Sequence, residues 1–121
     1  MARISIFKGR EARLNKAILW ILAVESPLTI YDAWKKLRHQ RDFAYIRYHI
    51  VNRRVKALEK QGFIERVGEK RTKTGFVAAF YKLAARAYLA MLLDQTDLDD
   101  FIEKVSEDII LSVLVAFTSV W

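Results

Sequence analysis

Residues 51–83 constrain the fold of this chain more than any other stretch, because a helix pattern is followed at once by two strand patterns. The helical part carries apolar residues at i, i+4 and i+7, a spacing that places them on one buried stripe: Val51, Val55 and Leu58. Gly62 follows the stripe, and glycine readily adopts the left-handed conformation in which many helices end. The sequence therefore predicts a helix that stops at about residue 61.

The residues after Gly62 predict a β-hairpin with a basic tip. Phe63, Ile64 and Val67 begin an extended segment, and residues 76–83 are rich in the aromatic and aliphatic side chains typical of strands. Residues 69–75 between them are polar and charged, and we expect a solvated loop there. A basic helix joined directly to a basic-tipped hairpin is a layout suited to holding DNA.

Composition favours one soluble domain. The chain has 121 residues, 53% of them hydrophobic, which is enough for a core. It has no cysteine, so disulfides and thiolate sites are excluded. The apolar run at residues 109–121 is shorter than the roughly 18–20 residues that span a bilayer, and no secretory signal is visible at the start. We expect a cytoplasmic, nucleoid-associated protein, with membrane association unlikely.

The charge is distributed unevenly along the chain. Residues 1–86 contain 20 Lys and Arg and 7 Asp and Glu, a net charge of +13. Residues 87–121 contain 1 Lys and 7 Asp and Glu, a net charge of −6. This division is typical of a nucleic-acid-binding part followed by a separate assembly element, although a cationic surface can also serve solubility alone.

The remaining pattern predicts a mainly α fold with a small β-hairpin. Five helices are predicted, at about 11–25, 30–39, 43–61, 84–94 and from 97 to about 118. Thr29 is expected to cap the second helix, Asp42 the third and Asp97 the last. We assign residues 1–83 to a DNA-binding domain and residues 84–121 to C-terminal dimerisation helices.

The third helix is the candidate reading helix. With the apolar stripe facing inward, its outer face and flanks carry the residues predicted to contact DNA: Arg47, Tyr48, His49, Asn52, Arg53 and Lys56. Arg and Asn make bidentate contacts to base edges, whereas Lys and Tyr more often contact phosphates. The alternative is an ordinary solvated helix face.

The hairpin tip is the second candidate contact. Lys70, Arg71 and Lys73 lie at the tip, where a thin basic hairpin can enter the minor groove or follow the phosphate backbone. Charged residues at a hairpin also prevent unwanted strand pairing, and both roles are compatible.

Other side chains indicate packing rather than chemistry. Six aromatic residues at helix or strand spacing are expected to pack in the core: Trp20, Trp34, Phe43, Phe76, Phe80 and Tyr81. His39 and His49, the two histidines, have no metal-ligand spacing, and no phosphate-binding or nucleophile motif occurs. We therefore predict no catalytic activity, no metal site and no cofactor.

Residues 12–90 resemble the winged helix-turn-helix regulators of the PadR, MarR and ArsR type. The segment VNRRVKALEKQGFIER is similar to the end of their recognition helix and the start of their wing. The resemblance implies a homodimeric, sequence-specific, double-stranded-DNA-binding transcriptional regulator, with residues 47–56 matching the reading helix and residues 70–73 the wing. Two departures are Ala84-Ala85, where these families usually place Thr or Ser, and the absent cysteine metal site of the ArsR type.

The last predicted helix is apolar on nearly every side, so it needs a partner. The dimerisation residues predicted on it are Phe101, Ile102, Val105, Ile109, Val113, Leu114 and Phe117. Two alternatives to a regulator remain: a winged-helix protein-interaction module, and an architectural protein that binds DNA without sequence preference.

Overall fold

The structure is a computed structural model. It describes residues 5–95 and, in the C-terminal segment, positions 103, 107, 108, 111, 114, 115 and 118. Residues 5–95 form four helices and three strands: α1 (Ala12–Val24), β1 (Leu28–Thr29), α2 (Ile30–Leu37), α3 (Tyr48–Lys60), β2 (Ile64–Arg71), β3 (Val77–Leu83) and α4 (Ala85–Gln95). Two short 3-10 helices, Ser5–Phe7 and Arg41–Phe43, precede α1 and α3. The expected mainly α fold with a small β element is confirmed.

The sheet has one strand more than the sequence predicted. Its order is β1-β3-β2, and both pairings are antiparallel. The two-residue strand β1 pairs with β3 through Leu28 opposite Tyr81, so the hairpin is joined to the start of α2. An irregularity between Arg66 and Gly68 shifts the register of β2 by one residue.

The core lies between α1, α2, α3 and the sheet, and α4 adds Ala87 and Ala90 to it. Nine large side chains are almost completely buried there: Phe7, Ile18, Leu19, Leu22, Leu37, Val51, Val55, Leu58 and Ile64. The predicted stripe of α3 is therefore confirmed. The first 3-10 helix also contributes to the core, because its Ile6 and Phe7 side chains are buried.

Two predicted helix ends are confirmed by their hydrogen bonds. The Thr29 hydroxyl accepts a hydrogen bond from the Asp32 amide at 3.1 Å and so caps α2. Gly62 has φ +86°, and the Phe63 amide donates to the Leu58 carbonyl at 2.9 Å, which closes α3 with a left-handed turn.

The start of α3 was predicted five residues too early. Asp42 does not cap the helix: it lies in the 3-10 helix, and its carboxylate contacts Arg13 at 3.0 Å. The Ile46 carbonyl accepts a hydrogen bond from the Trp34 indole at 2.9 Å, while the Ile50 amide donates to the Arg47 carbonyl. Because this tertiary contact holds the Ile46 carbonyl, regular α-helix begins only at Tyr48.

Two further expectations were wrong. Residues 69–71 are not loop, because β2 continues to Arg71 and pairs with β3 to its end. Trp20 and Phe76 are not core residues, with 49% and 74% of their surface exposed. Tyr81 is buried as expected, and Trp34 and Phe43 are partly buried against the core.

Most of the predicted dimerisation helix lies outside the described residues, including Asp97, Phe101, Ile102, Val105, Ile109, Val113 and Phe117. Leu114 is described, and it is helical and 54% exposed. Leu111 and Val115 are also exposed. Among the described residues, no helix is both long and apolar enough to span a membrane.

Candidate nucleic-acid interface

The outer face of α3 presents the predicted reading residues to solvent. Five of the six are exposed and Asn52 is half-buried: Arg47, Tyr48, His49, Asn52, Arg53 and Lys56. This orientation follows from the burial of Val51, Val55 and Leu58 on the opposite face. Within the described residues, no carboxylate makes a salt bridge with Arg47, Arg53 or Lys56.

Arg54 has a different role from its neighbour Arg53. Its Nε donates a hydrogen bond to Asn15 Oδ1 at 3.1 Å, and the same atom lies 3.9 Å from a carboxylate oxygen of Glu11. Asn15 is only 2% exposed, and its Nδ2 donates to the Ile6 carbonyl at 2.7 Å. Arg54 therefore ties α3 to α1 and, through Asn15, to the N-terminal 3-10 helix.

An aromatic cluster joins α2 to the start of α3. The Trp34 ring lies 5.5 Å from the Tyr31 ring and 5.8 Å from the Tyr48 ring, centroid to centroid. Lys35 Nζ lies 5.4 Å from the Tyr31 ring, and the Arg38 guanidinium 5.0 Å from the Trp34 ring. A cation is attracted to the face of an aromatic ring. The cluster therefore gives α2 a basic, aromatic outer face.

This basic, aromatic face of α2 is not among the DNA contacts predicted from the sequence. Tyr31, Trp34, Lys35 and Arg38 are spaced i, i+3, i+4 and i+7, so they share one face of a helix. That spacing was the available signal. It went unrecognised because Trp34, at the centre of this face, was assigned to the core.

A groove of about 510 Å³ separates α3 from the hairpin. The α3 wall consists of Tyr48, Asn52 and Lys56. The other lining residues come from β1, the start of α2 and the hairpin: Thr29, Ile30, Tyr31, Arg66, Thr72, Phe76, Val77, Ala78, Ala79 and Tyr81. Arg66 is paired with Glu69, which leaves Lys56 as the cation of the groove without a carboxylate partner among the described residues.

Lys70 and Arg71, two basic residues near the hairpin tip, lie on opposite faces of the hairpin. Lys70 pairs with Ala78 and Arg71 with Val77, and side chains alternate between the two faces of a strand. Lys70 Nζ lies 5.6 Å from the Phe80 ring, and Arg71, the next residue of β2, is on the opposite face. Both faces of the hairpin are therefore basic near its tip.

Most carboxylates of the first 86 residues contact basic side chains other than the predicted DNA-binding cations. Five of the seven acidic residues before residue 87 contact a basic side chain: Glu11, Glu25, Asp42, Glu65 and Glu69. Their partners are Arg54, Lys36, Arg13, Lys82 and Arg66. None of these partners belongs to the predicted DNA-binding set.

The described residues contain no group of three or more His, Cys, Asp or Glu side chains arranged to hold a metal ion. Comparisons of the chain with protein-family models, with curated proteins and with solved structures find no match.

Proposed function

We propose that the protein is a homodimeric transcriptional regulator of the winged helix-turn-helix type, resembling the PadR, MarR and ArsR families. It would bind double-stranded DNA sequence-specifically and act in the cytoplasm, at the nucleoid. The observation that carries the proposal is the set of exposed cations without a described carboxylate partner on two neighbouring elements: the outer face of α3 and the hairpin tip.

The dimensions of the two elements suit a duplex. The 13 residues of α3 make a rod about 20 Å long and about 10–12 Å wide, which matches the roughly 12 Å width of the major groove. The phosphate backbone would follow the groove between α3 and β2–β3, so the hairpin would reach the adjacent minor groove. In this arrangement Asn52 and Arg53 face base edges, while Lys56, Lys70, Arg71 and Lys73 contact phosphates.

The primary experiment is selection of bound sequences from a random duplex pool, followed by titration of the selected site at several salt concentrations. If about 6–10 phosphates are contacted per dimer, the affinity should fall by roughly 10³–10⁵ between 50 and 200 mM salt. Failure to bind duplex at low salt, or binding that ignores salt, would overturn the proposal. A protein that binds strongly but selects no sequence would be architectural instead.

The two contact elements should respond differently to mutation. Arg53→Ala should relax preference at one base position, at a cost of about 1–3 kcal/mol for a bidentate contact. The control is Arg13→Ala, which removes the same charge from a residue paired with Asp42. Neutralising Lys70, Arg71 and Lys73 should weaken binding to all duplexes alike and flatten the salt dependence. The reverse pattern would invert these roles.

Dimerisation is supported by exposed apolar residues in the C-terminal segment. Leu111, Leu114 and Val115 occupy positions i, i+3 and i+4 and therefore share one apolar helix face. This face is exposed to solvent in a single copy of the chain. Pairing two copies would cover this face and place two reading helices about 34 Å apart, in successive major grooves. We expect a dimer by light scattering, and Leu114→Asp should give a monomer or aggregate with weak DNA binding. A wild-type monomer that binds a two-half-site operator tightly would contradict the dimer.

A protein-interaction module is the second candidate. Trp20 and Val24, both on α1, are 49% and 79% exposed, and exposed apolar residues can mark a protein contact. The two functions separate cleanly in the salt titration, because a docking module without a DNA role would not bind the duplex. Trp20→Ala should leave duplex affinity unchanged if the regulator is correct.

A further inference from the structure

Phe76 is the least expected residue of the hairpin. It lies directly before β3, and 74% of its surface is exposed to solvent although its side chain is large and apolar. A single exposed apolar residue is common on protein surfaces. Phe76 differs because hydrogen bonds fix its backbone and because basic residues of the hairpin tip are close to it in sequence.

Four hydrogen bonds hold the backbone around Phe76. The Thr72 amide donates to the Phe76 carbonyl at 2.7 Å, and the Phe76 amide donates to the Thr72 hydroxyl at 3.2 Å. The Gly75 amide donates to the Thr72 carbonyl at 3.0 Å, and the Thr72 and Thr74 hydroxyls are hydrogen-bonded at 3.0 Å. The ring is therefore presented by a pre-organised turn, which lowers the entropy lost when it meets a partner.

The ring also faces the same space as the outer face of α3. Phe76 lines the groove whose opposite wall contains Asn52 and Lys56. A ligand lying across α3 and the tip must therefore pass the phenyl ring.

The charges around Phe76 identify the class of ligand. Arg71 and Lys73 lie within five residues on the same tip, and neither makes a salt bridge with a described carboxylate. An apolar protein partner would require these cations to lose hydration without compensation. A polyanion with flat apolar surfaces between its charges satisfies both the cations and the ring, and duplex DNA has this chemistry.

We propose that Phe76 is a wedge that inserts from the minor groove between two stacked base pairs and kinks the duplex. This inference rests on the proposed DNA-binding function and deepens it. The cations of the tip hold the backbone on either side, and the ring replaces part of the lost stacking. Flexible pyrimidine–purine steps unstack at the lowest cost, so the kink would favour such a step beneath the tip without a hydrogen bond to its bases.

The test measures bending and unstacking separately from binding. The selected duplex carries a donor and an acceptor dye at its ends for energy transfer, and 2-aminopurine in turn at each step under the footprint. Wild-type protein should bend the duplex by about 20–90° and raise 2-aminopurine fluorescence at one step. Phe76→Ala should remove both signals and raise Kd by about tenfold, within the range of one lost base–aromatic stack. Phe76→Leu, which keeps an apolar wedge, should retain part of the bend.

Three controls distinguish the possible failures. Phe76→Ala should keep the wild-type melting temperature and the wild-type salt dependence, because the residue is exposed and uncharged. Tyr88→Ala removes an exposed aromatic residue that does not line the groove, and it should change neither bend nor affinity. Lys73→Ala should reduce the salt dependence and leave the unstacked step in place.

The outcomes separate the wedge from the proposed function. Tight, salt-dependent binding of wild-type protein to an unbent duplex would overturn the wedge and leave the regulator intact. A bend that persists in Phe76→Ala would also overturn the wedge. If wild-type protein fails to bind any duplex, the proposed function fails with it. If Phe76→Ala bound and bent the duplex as wild type does but no longer bound a protein partner, the ring would be assigned to a protein contact instead.

Discussion

Replacing Asn15 by alanine tests how α3 is held in place. Asn15 lies on α1, yet its side-chain amide donates to the Ile6 carbonyl at 2.7 Å and accepts from Arg54 Nε at 3.1 Å. With 2% of its surface exposed, it joins three parts of the chain inside the core. No buried side-chain nitrogen or oxygen in the described residues lacks a partner. The substitution would take the side-chain donor from the backbone carbonyl of Ile6.

The cost of Asn15→Ala follows from the groups left behind. The Ile6 carbonyl loses its side-chain donor, and Ile6 itself is buried, so water cannot replace the bond at low cost. An unsatisfied buried group costs about 1–3 kcal/mol. The Arg54 side chain is 17% exposed and keeps Glu11 at 3.9 Å, so its loss is partly compensated. Together we expect the free energy of unfolding to fall by about 2–4 kcal/mol.

Urea denaturation followed by far-ultraviolet circular dichroism measures this change. Asn15→Ala should lower the midpoint without changing the slope, because the surface exposed on unfolding stays the same. Asn52→Ala is the matched control: it deletes the same side chain from α3, where Asn52 makes no hydrogen bond within the described residues. It should change stability by less than about 0.5 kcal/mol and instead weaken binding to the selected duplex.

The assigned roles of the two asparagines would be wrong if Asn52→Ala reduced stability and Asn15→Ala did not. A stable Asn15→Ala protein would mean that the amide does not hold α3 to the N-terminal 3-10 helix. A strongly destabilised Asn52→Ala protein would mean that the outer face of α3 contributes to the core. Asn15→Asp adds a further check, because it keeps an acceptor for Arg54 and loses the donor to Ile6. We expect its stability to lie below that of wild type at neutral pH.

Two smaller perturbations test the helix ends. Gly62→Ala should cost at least about 1–2 kcal/mol in the same assay, since φ is +86° and the added Cβ would lie 2.9 Å from Nη1 of Arg86, whereas Gly68→Ala meets open space and should be nearly neutral. Thr29→Ala should cost about 0.5–2 kcal/mol by removing the cap of α2, and Thr29→Ser, which keeps the hydroxyl, should recover most of it; equal losses for both would show that methyl packing matters more.

The parts of the fold that depend on local periodicity could be predicted from the sequence. The stripe of Val51, Val55 and Leu58 is buried because an α-helix returns to the same face every three to four residues. The cap at Thr29 and the turn at Gly62 depend on one side chain and its nearest amides, so they also follow from sequence alone. The exposure of Arg53 and Lys56 is a direct consequence of the same periodicity.

The errors arise where a distant residue decides the local structure. The Trp34 indole holds the Ile46 carbonyl and delays the start of α3, and the two residues are twelve positions apart. Pairing with β3 extends β2 into charged residues 69–71, which by composition predict a loop. Phe76 is an aromatic residue beside a strand, and only the closed turn at Thr72 reveals that its ring projects from the tip.

The five ion pairs affect both the stability of the protein and its electric field. Exposed pairs such as Arg13 with Asp42 contribute little to stability, so stability alone does not account for the five acidic residues that contact basic side chains. Their larger effect is on the electric field. Each pair offsets one positive charge, whereas Arg53 and Lys73 make no salt bridge with a described carboxylate. A field confined to one face orients a polyanion before contact, whereas an evenly basic surface only attracts it. Asp42→Lys replaces a negative charge by a positive one and so breaks the pair with Arg13. This substitution should therefore increase non-specific duplex binding more than binding to the selected site.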